Sequence, residues 1–446
     1  MSKMKILVLV IFSLLLASIL AIPSQDSGSE DDGGRYIGPG GCRFCHQQYY
    51  DEWLLTNHSR AFQILVDVKQ DKNETCIPCH VTGYDNNTKT YKFRDVTCEA
   101  CHNSGDISNS ITERVLEQVY KNNKSALEIK SLLAEMNLNK KSMDKNLTSE
   151  MCGRCHQGEE HPTYEEWNKS KHSQSLVDLK NDKDAKDECL KCHSTEYIEA
   201  DEYNKPTLNE VTIGLTCQAC HDVHNSKVEK LLRMPKNRLC VSCHNMQGAK
   251  PGETPYQSQS EMRLSYGGVD ADTYIYQPNA ACADCHRYTR EYNETGINES
   301  AITGHTFEID FDVCLTCHQG FPTAQEAEKF VKNQQKEIMD GYYNTIMKVY
   351  DAGNITVGIN GEQKSVYEHA YIEALFNIQM VSADKSKGAH NPKYAKELID
   401  KADLKASNII SGRPEAKVQG IPGFELLQGF AALLFMILVL LKRQKD

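Results

Sequence analysis

Apolar residues recur at helical spacing over residues 111–138, at Ile111, Val115 and Val119 and then at Leu127, Leu132, Leu133 and Met136. A second readable region follows residue 320. Thr323-Ala-Gln-Glu326, just after Pro322, is a capping box. It predicts a helix running to about Tyr350, then a turn from Gly353 to Gly361 and a second helix from about Ser365 to Ala383. Asn391 before Pro392 predicts the cap of a third helix, with proline at the first helical position. Elsewhere the segments are short and irregular, unable to build a conventional aliphatic core.

Two apolar runs stand at the ends. Ile6 to Leu20 follows Met1-Ser-Lys-Met-Lys5 and precedes the small Ala21, which reads as a signal peptide over residues 1–21, an uncleaved anchor being the alternative. The Ser/Asp/Glu/Gly-rich stretch after it, residues 22–41, reads as a disordered leader. Phe430 to Leu441 is short for a spanning helix of about 20 residues and becomes marginal with Leu426 and Leu427. A basic tip, Lys442-Arg443-Gln-Lys445, closes it. Nine Asn-x-Ser/Thr sequons (Asn57, Asn73, Asn86, Asn123, Asn146, Asn168, Asn293, Asn298, Asn354) suit an exported glycoprotein.

A chain of 446 residues holds two or three domains. Its net charge of −11 argues against a nucleic-acid partner. The abnormal number is 18 cysteines, and all fall in C-x-x-C-H. The pairs are Cys42 and Cys45, Cys76 and Cys79, Cys98 and Cys101, Cys152 and Cys155, Cys189 and Cys192, Cys217 and Cys220, Cys240 and Cys243, Cys282 and Cys285, and Cys314 and Cys317. The histidines that close them are His46, His80, His102, His156, His193, His221, His244, His286 and His318. C-x-x-C-H is the attachment signature of c-type haem: two thiols add to the two vinyl groups, and the next residue lies under the iron as an axial ligand. One motif alone would leave open a zinc ribbon, a redox dithiol or a disulfide framework. Nine motifs with no cysteine left over point to nine covalent haems.

Of the 16 histidines, seven remain as distal ligands: His58, His161, His172, His224, His305, His369 and His390. The alternative for each is an ordinary surface or hydrogen-bonded residue. Seven cannot complete nine irons. At least two sixth ligands must therefore be a methionine, come from a neighbouring subunit, or be absent, leaving an iron open to a small substrate.

The two tryptophans head an internal repeat. Tyr50-Asp-Glu-Trp53 precedes His58-Ser59, and Tyr164-Glu-Glu-Trp167 precedes His172-Ser173. The motifs at Cys76 and Cys189 follow, and then Thr97-Cys98-Glu-Ala-Cys-His102 and Thr216-Cys217-Gln-Ala-Cys-His221. The expected architecture is mainly α with much irregular loop, built around packed haems. A first three-haem repeat with a helical insert would span residues 42–150 and a six-haem region 151–320. A C-terminal helical domain would span 321–410, with a linker and sorting segment over 411–446.

This pattern resembles the multihaem cytochrome superfamily of hydroxylamine oxidoreductase, its tetrahaem cytochrome partner, octahaem tetrathionate reductase and pentahaem nitrite reductase. Residues 42–102 look most like the tetrahaem cytochrome, and residues 152–221 repeat them. The C-terminal helices with Gly388-Ala-His-Asn-Pro392 look like the closing segment of the nitrite reductases, where such a histidine is a distal ligand. The resemblance implies closely packed haem pairs forming a continuous electron path. Two departures stand out. The tetrahaem pattern often has a histidine soon after its third motif; repeat two has His224, but repeat one has Gly105 within Asn103-Ser-Gly-Asp106. The C-x-x-C-K that marks the catalytic haem of nitrite reductases does not occur. Ile421-Pro-Gly-Phe-Glu and the tail after it resemble the PGF-CTERM sorting tail of archaeal surface proteins, which implies a lipid anchor; an ordinary membrane helix is the alternative.

The expected function is electron carriage at the cell surface between membrane donors and external acceptors, tethered to the membrane. Redox proteins or other extracellular acceptors would be its partners. A multihaem oxidoreductase of hydroxylamine, nitrite or tetrathionate type, acting at an open haem, is the second reading. A structural subunit of a filament or homo-oligomeric array is the third.

Overall fold

The computed structural model describes residues 36, 38–43, 46–102, 148–272, 280–292 and 300–414. The periodic stretch at 111–138, Cys45 and both apolar end runs lie outside the described residues. The chain divides into two compact units, residues 1–145 and 146–446. Both are mainly helical, and most of the helices are single turns.

In the first unit the helices Gly38–Arg43, Gln47–Trp53, Ala61–Asp67, Ile77–His80 and Cys98–His102 surround one antiparallel strand pair. Val81–Thr82 pairs with Phe93–Arg94, with Val81 opposite Arg94. The second unit opens with the same kind of short helices, with a small apolar cluster of Leu176, Leu179, Leu190 and Val211. It closes on three long helices, Ala324–Gly358, Lys364–Ala383 and Pro392–Ile410.

Those three helices hold a conventional core. Tyr342, Tyr371, Tyr394, Phe376, Met380 and Leu398 are fully buried. The middle helix is buried on nearly every face, as a helix apolar all round must be. Thr323 caps the first helix by accepting from the Glu326 amide, and Asn391 caps the third by accepting from the Tyr394 amide. Met246 and Met262, from the motif-bearing loops, complete the core. Backbone and side chains tie the same loop down: Ser258 Oγ donates to Met380 O at 2.7 Å, and Asn377 accepts from Val269 N at 2.7 Å while donating to Val269 O at 3.0 Å. Lys405 Nζ reaches both Asp270 and Glu373 at 2.7 Å.

One boundary differs from the expectation. The first long helix does not turn at Gly353 but continues to Gly358. Gly353 is buried where Tyr371 of the next helix crosses, and a Cβ there would lie 2.8 Å from the ring. The glycine permits close helix approach and marks no turn.

Two outcomes follow. Leu398→Ala, deleting a side chain with no solvent exposure, should cost about 3 kcal/mol in denaturant unfolding of the holoprotein followed by helical circular dichroism. Burial lowers the Lys405 pKa, but its hydrogen bonds to the Asp270 and Glu373 carboxylates raise it by more, leaving it above 10.5. A lysine raised on folding stabilises fully below its ordinary pKa and loses that contribution as pH rises through the folded value. Lys405→Met should therefore be less stable than wild type at pH 7, with the gap closing above about pH 10.5.

Candidate functional site

Each C-x-x-C-H can place its three functional side chains on one face, because residues i, i+3 and i+4 of a helical turn are neighbours. The chain builds such turns. The amides of His46, His156, His221, His244 and His318 donate to the carbonyl of the first cysteine of their own motif, at 2.8–3.0 Å. The motifs Ile77–His80, Leu190–His193 and Cys282–His286 also lie on helical turns.

The motif histidines are oriented from behind. His80 Nδ1 donates to Ala61 O at 2.7 Å, His193 Nδ1 to Ser175 O at 3.0 Å, His221 Nδ1 to Lys230 O at 2.9 Å and His286 Nδ1 to Phe307 O at 3.0 Å. A proton fixed on Nδ1 leaves Nε2 as the lone-pair nitrogen, which is the tautomer a metal requires.

The two repeats share these contacts one for one. Ala61 and Ser175, which receive the second motif's histidine, each stand three residues after the spare histidine, His58 or His172. The serine after that histidine staples the turn: Ser59 Oγ donates to Leu54 O and Thr56 O, and Ser173 Oγ to Asn168 O and Ser170 O. Thr97 and Thr216, before the third motif, donate to Thr82 and Thr195 at 3.1 Å. The Cys98 thiol is held below its ordinary pKa by a hydrogen bond with Cys42, and Cys217 to about 7 by one with Cys152. First and third motifs thus touch in both repeats.

Thiol contacts continue through the second unit. Cys192 hydrogen-bonds Cys243, and Cys240 hydrogen-bonds Cys282, pulling Cys243 and Cys282 down to about 6. Cys220 feels Cys243, and Cys285 feels Cys314, at electrostatic range. All six motifs of this unit are thus linked, with the motif at Cys240 as the junction between those at Cys189, Cys217 and Cys282.

A metal–nitrogen bond is about 2 Å, so two imidazoles on opposite sides of one iron hold their ring centres roughly 6 Å apart. Among the described residues, three such pairs stand out. His172 and His244 lie 6.0 Å apart, His221 and His305 6.3 Å, and His286 and His390 6.0 Å. Each joins a motif histidine to a spare one from a remote segment. Burial drives His172 down to about 4 and His305 to about 3, so both stay neutral and ligand-competent. The residues present therefore fit haem: paired thiols on one face, motif histidines with Nδ1 engaged, and opposed imidazoles at the required spacing.

Of the supports of these spare histidines, the glycines Gly304 and Gly388 mark element boundaries in the sequence, whereas Glu166 and Thr303 carry no signal of their own. Glu166, buried, accepts from Thr303 N, Thr303 Oγ1 and His305 N at 2.7–3.0 Å, while Thr303 Oγ1 faces His305 Nδ1 at 2.9 Å. Gly304 is left-handed, and a Cβ there would lie 2.7 Å from Tyr288 O. Gly388, before His390, is left-handed against Ile338. Phe307 also has a positive φ, with its ring 4.6 Å from His172 and its carbonyl on His286.

The other spare histidines lie elsewhere. His58 is half-buried on the 3-10 turn His58–Arg60, and desolvation lowers its pKa. His161 is exposed. His224 Nδ1 has Asp222 at 3.9 Å. His369 turns its Nδ1 to Ser365 O of its own helix at 3.0 Å.

Comparison with known proteins matches separate segments to cytochrome families. The model for cytochrome c554 and c-prime matches residues 41–103 and again 151–222. A doubled CXXCH motif model matches 209–249, and the cytochrome c552 model matches 273–411. No curated protein matches the chain. Among solved structures, outer cell wall cytochrome OcwA has a TM-score of 0.63 at 20% identity, over 83% of this chain and 99% of that one. The undecahaem cytochrome from the S-layer of Carboxydothermus ferrireducens has 0.57 at 18% identity, over 90% and 73%. With its C-x-x-C-H motifs and these family matches, the chain is a multihaem c-type cytochrome.

Proposed function

We propose that this chain is an exported nonahaem cytochrome that carries electrons at the cell surface between membrane donors and external acceptors. The observation that carries this reading is the connected network of attachment motifs in the second unit, each in contact with or at electrostatic range of at least one other. Haem iron supplies one-electron exchange between its ferric and ferrous states. The chain's task is to hold such groups close together and to fix their ligands. All 18 cysteines would be attachment sites and the nine motif histidines proximal ligands. His172, His305 and His390 would complete the sites of His244, His221 and His286.

Similarity in fold to cytochromes described from an outer cell wall and an S-layer supports a surface location. The signal peptide at 1–21, and a tether through the PGF-CTERM-like tail, as a lipid anchor or a membrane helix, belong to this proposal. So does glycosylation, for which Asn57, Asn86, Asn168 and Asn354 are exposed. Among the described residues no helix is long and apolar enough to cross a membrane. The net charge of −11 would steer basic redox partners toward the surface.

One observation favours the second reading, an oxidoreductase acting on a small nitrogen or sulfur compound. Seven spare histidines cannot complete nine irons, and His58, His161, His224 and His369 are the only spare ones in the sequence beyond the three pairs above, for six further motifs. Among the described residues no histidine ring faces His80 or His193, the second motifs of the two repeats, at about 6 Å. An iron without a second imidazole can bind a small ligand.

The test is haem quantification with electron paramagnetic resonance of the oxidised, monomeric holoprotein. Nine haems per chain are expected, with at least two high-spin or not bis-histidine; nine bis-histidine irons in a monomer would overturn the ligand count. A high-spin fraction altered by nitrite or hydroxylamine would favour the enzyme, and an unresponsive one the carrier. His305→Ala should convert one further low-spin haem to high-spin without changing the haem total.

A further inference from the structure

His390 differs from its neighbours in what stands behind it. His80, His193, His221 and His286 donate Nδ1–H to neutral carbonyls, and His305 faces the Thr303 hydroxyl. His390 Nδ1 donates instead to the carboxylate of Asp384, whose side chain has no solvent exposure. Ser386 Oγ–H donates to the other oxygen of the same carboxylate and accepts from the His390 amide at 3.2 Å. The arrangement is built into the fold. Asp384 is the C-cap of the middle long helix, Gln335 of the first long helix holds Ser386 O at 2.9 Å, and Asn391 opens the third. Left-handed Gly388 closes the loop against Ile338. The other groups acting electrostatically on His390 are Cys282, a haem-attachment thiol, and the Arg263 guanidinium, which donates to Ala280 O at 2.7 Å.

We propose that Asp384 is a redox-tuning residue: acting through His390, it sets the haem held between His286 and His390 at a lower reduction potential than a neutral acceptor would. The inference rests on the haem-ligand reading above. A carboxylate hydrogen-bonded to the far nitrogen of a ligating imidazole gives the ligand imidazolate character and raises its basicity. A buried negative charge also favours the state of higher positive charge. Reduction takes the iron from ferric to ferrous by one electron from a neighbouring ferrous haem, with no other bond made or broken. Both effects favour the ferric side. Ser386 opposes this, because its hydroxyl partly neutralises the carboxylate.

The experiment is a redox titration of the full-length holoprotein followed by electron paramagnetic resonance, with the haem total measured alongside. Asp384→Asn keeps the shape and an acceptor oxygen but removes the charge. It should shift the g-values of one low-spin haem and favour its reduction at least tenfold, which is 59 mV for one electron. Ser386→Ala should move the same haem the other way, through the same signal. Unchanged g-values and midpoints in both variants, with the haem total intact, would overturn the tuning role while leaving the carrier reading standing. His390→Ala separates the two ideas. It should turn one haem high-spin, and an unchanged low-spin count would mean that the ligand assignment itself, and the tuning with it, is wrong.

Discussion

Two imidazoles sharing one iron must face each other with their ring centres roughly 6 Å apart. Under the proposed ligand assignment, much of the second unit is organised to meet that constraint. The motif histidine is placed by a single helical turn and held by a carbonyl at Nδ1. Its opposite must arrive from a distant segment with comparable precision. Glu166 and Gly304 deliver His305, the Ser173 staple delivers His172, and Asp384 with Gly388 delivers His390. Phe307 joins two of these sites, since its ring packs on His172 while its carbonyl orients His286. A residue serving both explains its positive φ.

The C-terminal helices belong to the same logic. Their core is closed by Met246 and Met262 and anchored by Ser258, Asn377 and Lys405. It provides the rigid base from which Asp384 and His390 leave the end of the middle helix. Among the described residues, the motif-bearing segments elsewhere bury few apolar side chains: the cluster of Leu176, Leu179, Leu190 and Val211 in the second unit, and residues such as Phe62, Leu65 and Val81 in the first. Haem faces must supply the rest of their buried apolar surface.

The local chemistry was legible in the sequence. C-x-x-C-H is complete within five residues, so its turn and its ligand need no tertiary information. The repeat was legible because Trp-x4-His-Ser and the threonine before the third motif recur, and the shared hydrogen bonds of Ser59 and Ser173, and of Thr97 and Thr216, give the recurrence its cause. The capping signals at Thr323 and Asn391 were read correctly, since caps are local as well. Gly353 was misread because a glycine that admits Tyr371 looks, in one dimension, like a glycine that turns the chain. Pairing was not legible at all. Nothing near His305 names His221, and Glu166 lies 139 residues from the backbone amide that it holds. Such partners are fixed only when the chain folds back on itself.

The most direct test of this account is a cryo-electron microscopy map of the haem-loaded chain at a resolution that places iron and imidazole rings. The account predicts iron density midway between His172 and His244, between His221 and His305, and between His286 and His390. Irons ligated by any other histidine at these three motifs would contradict it.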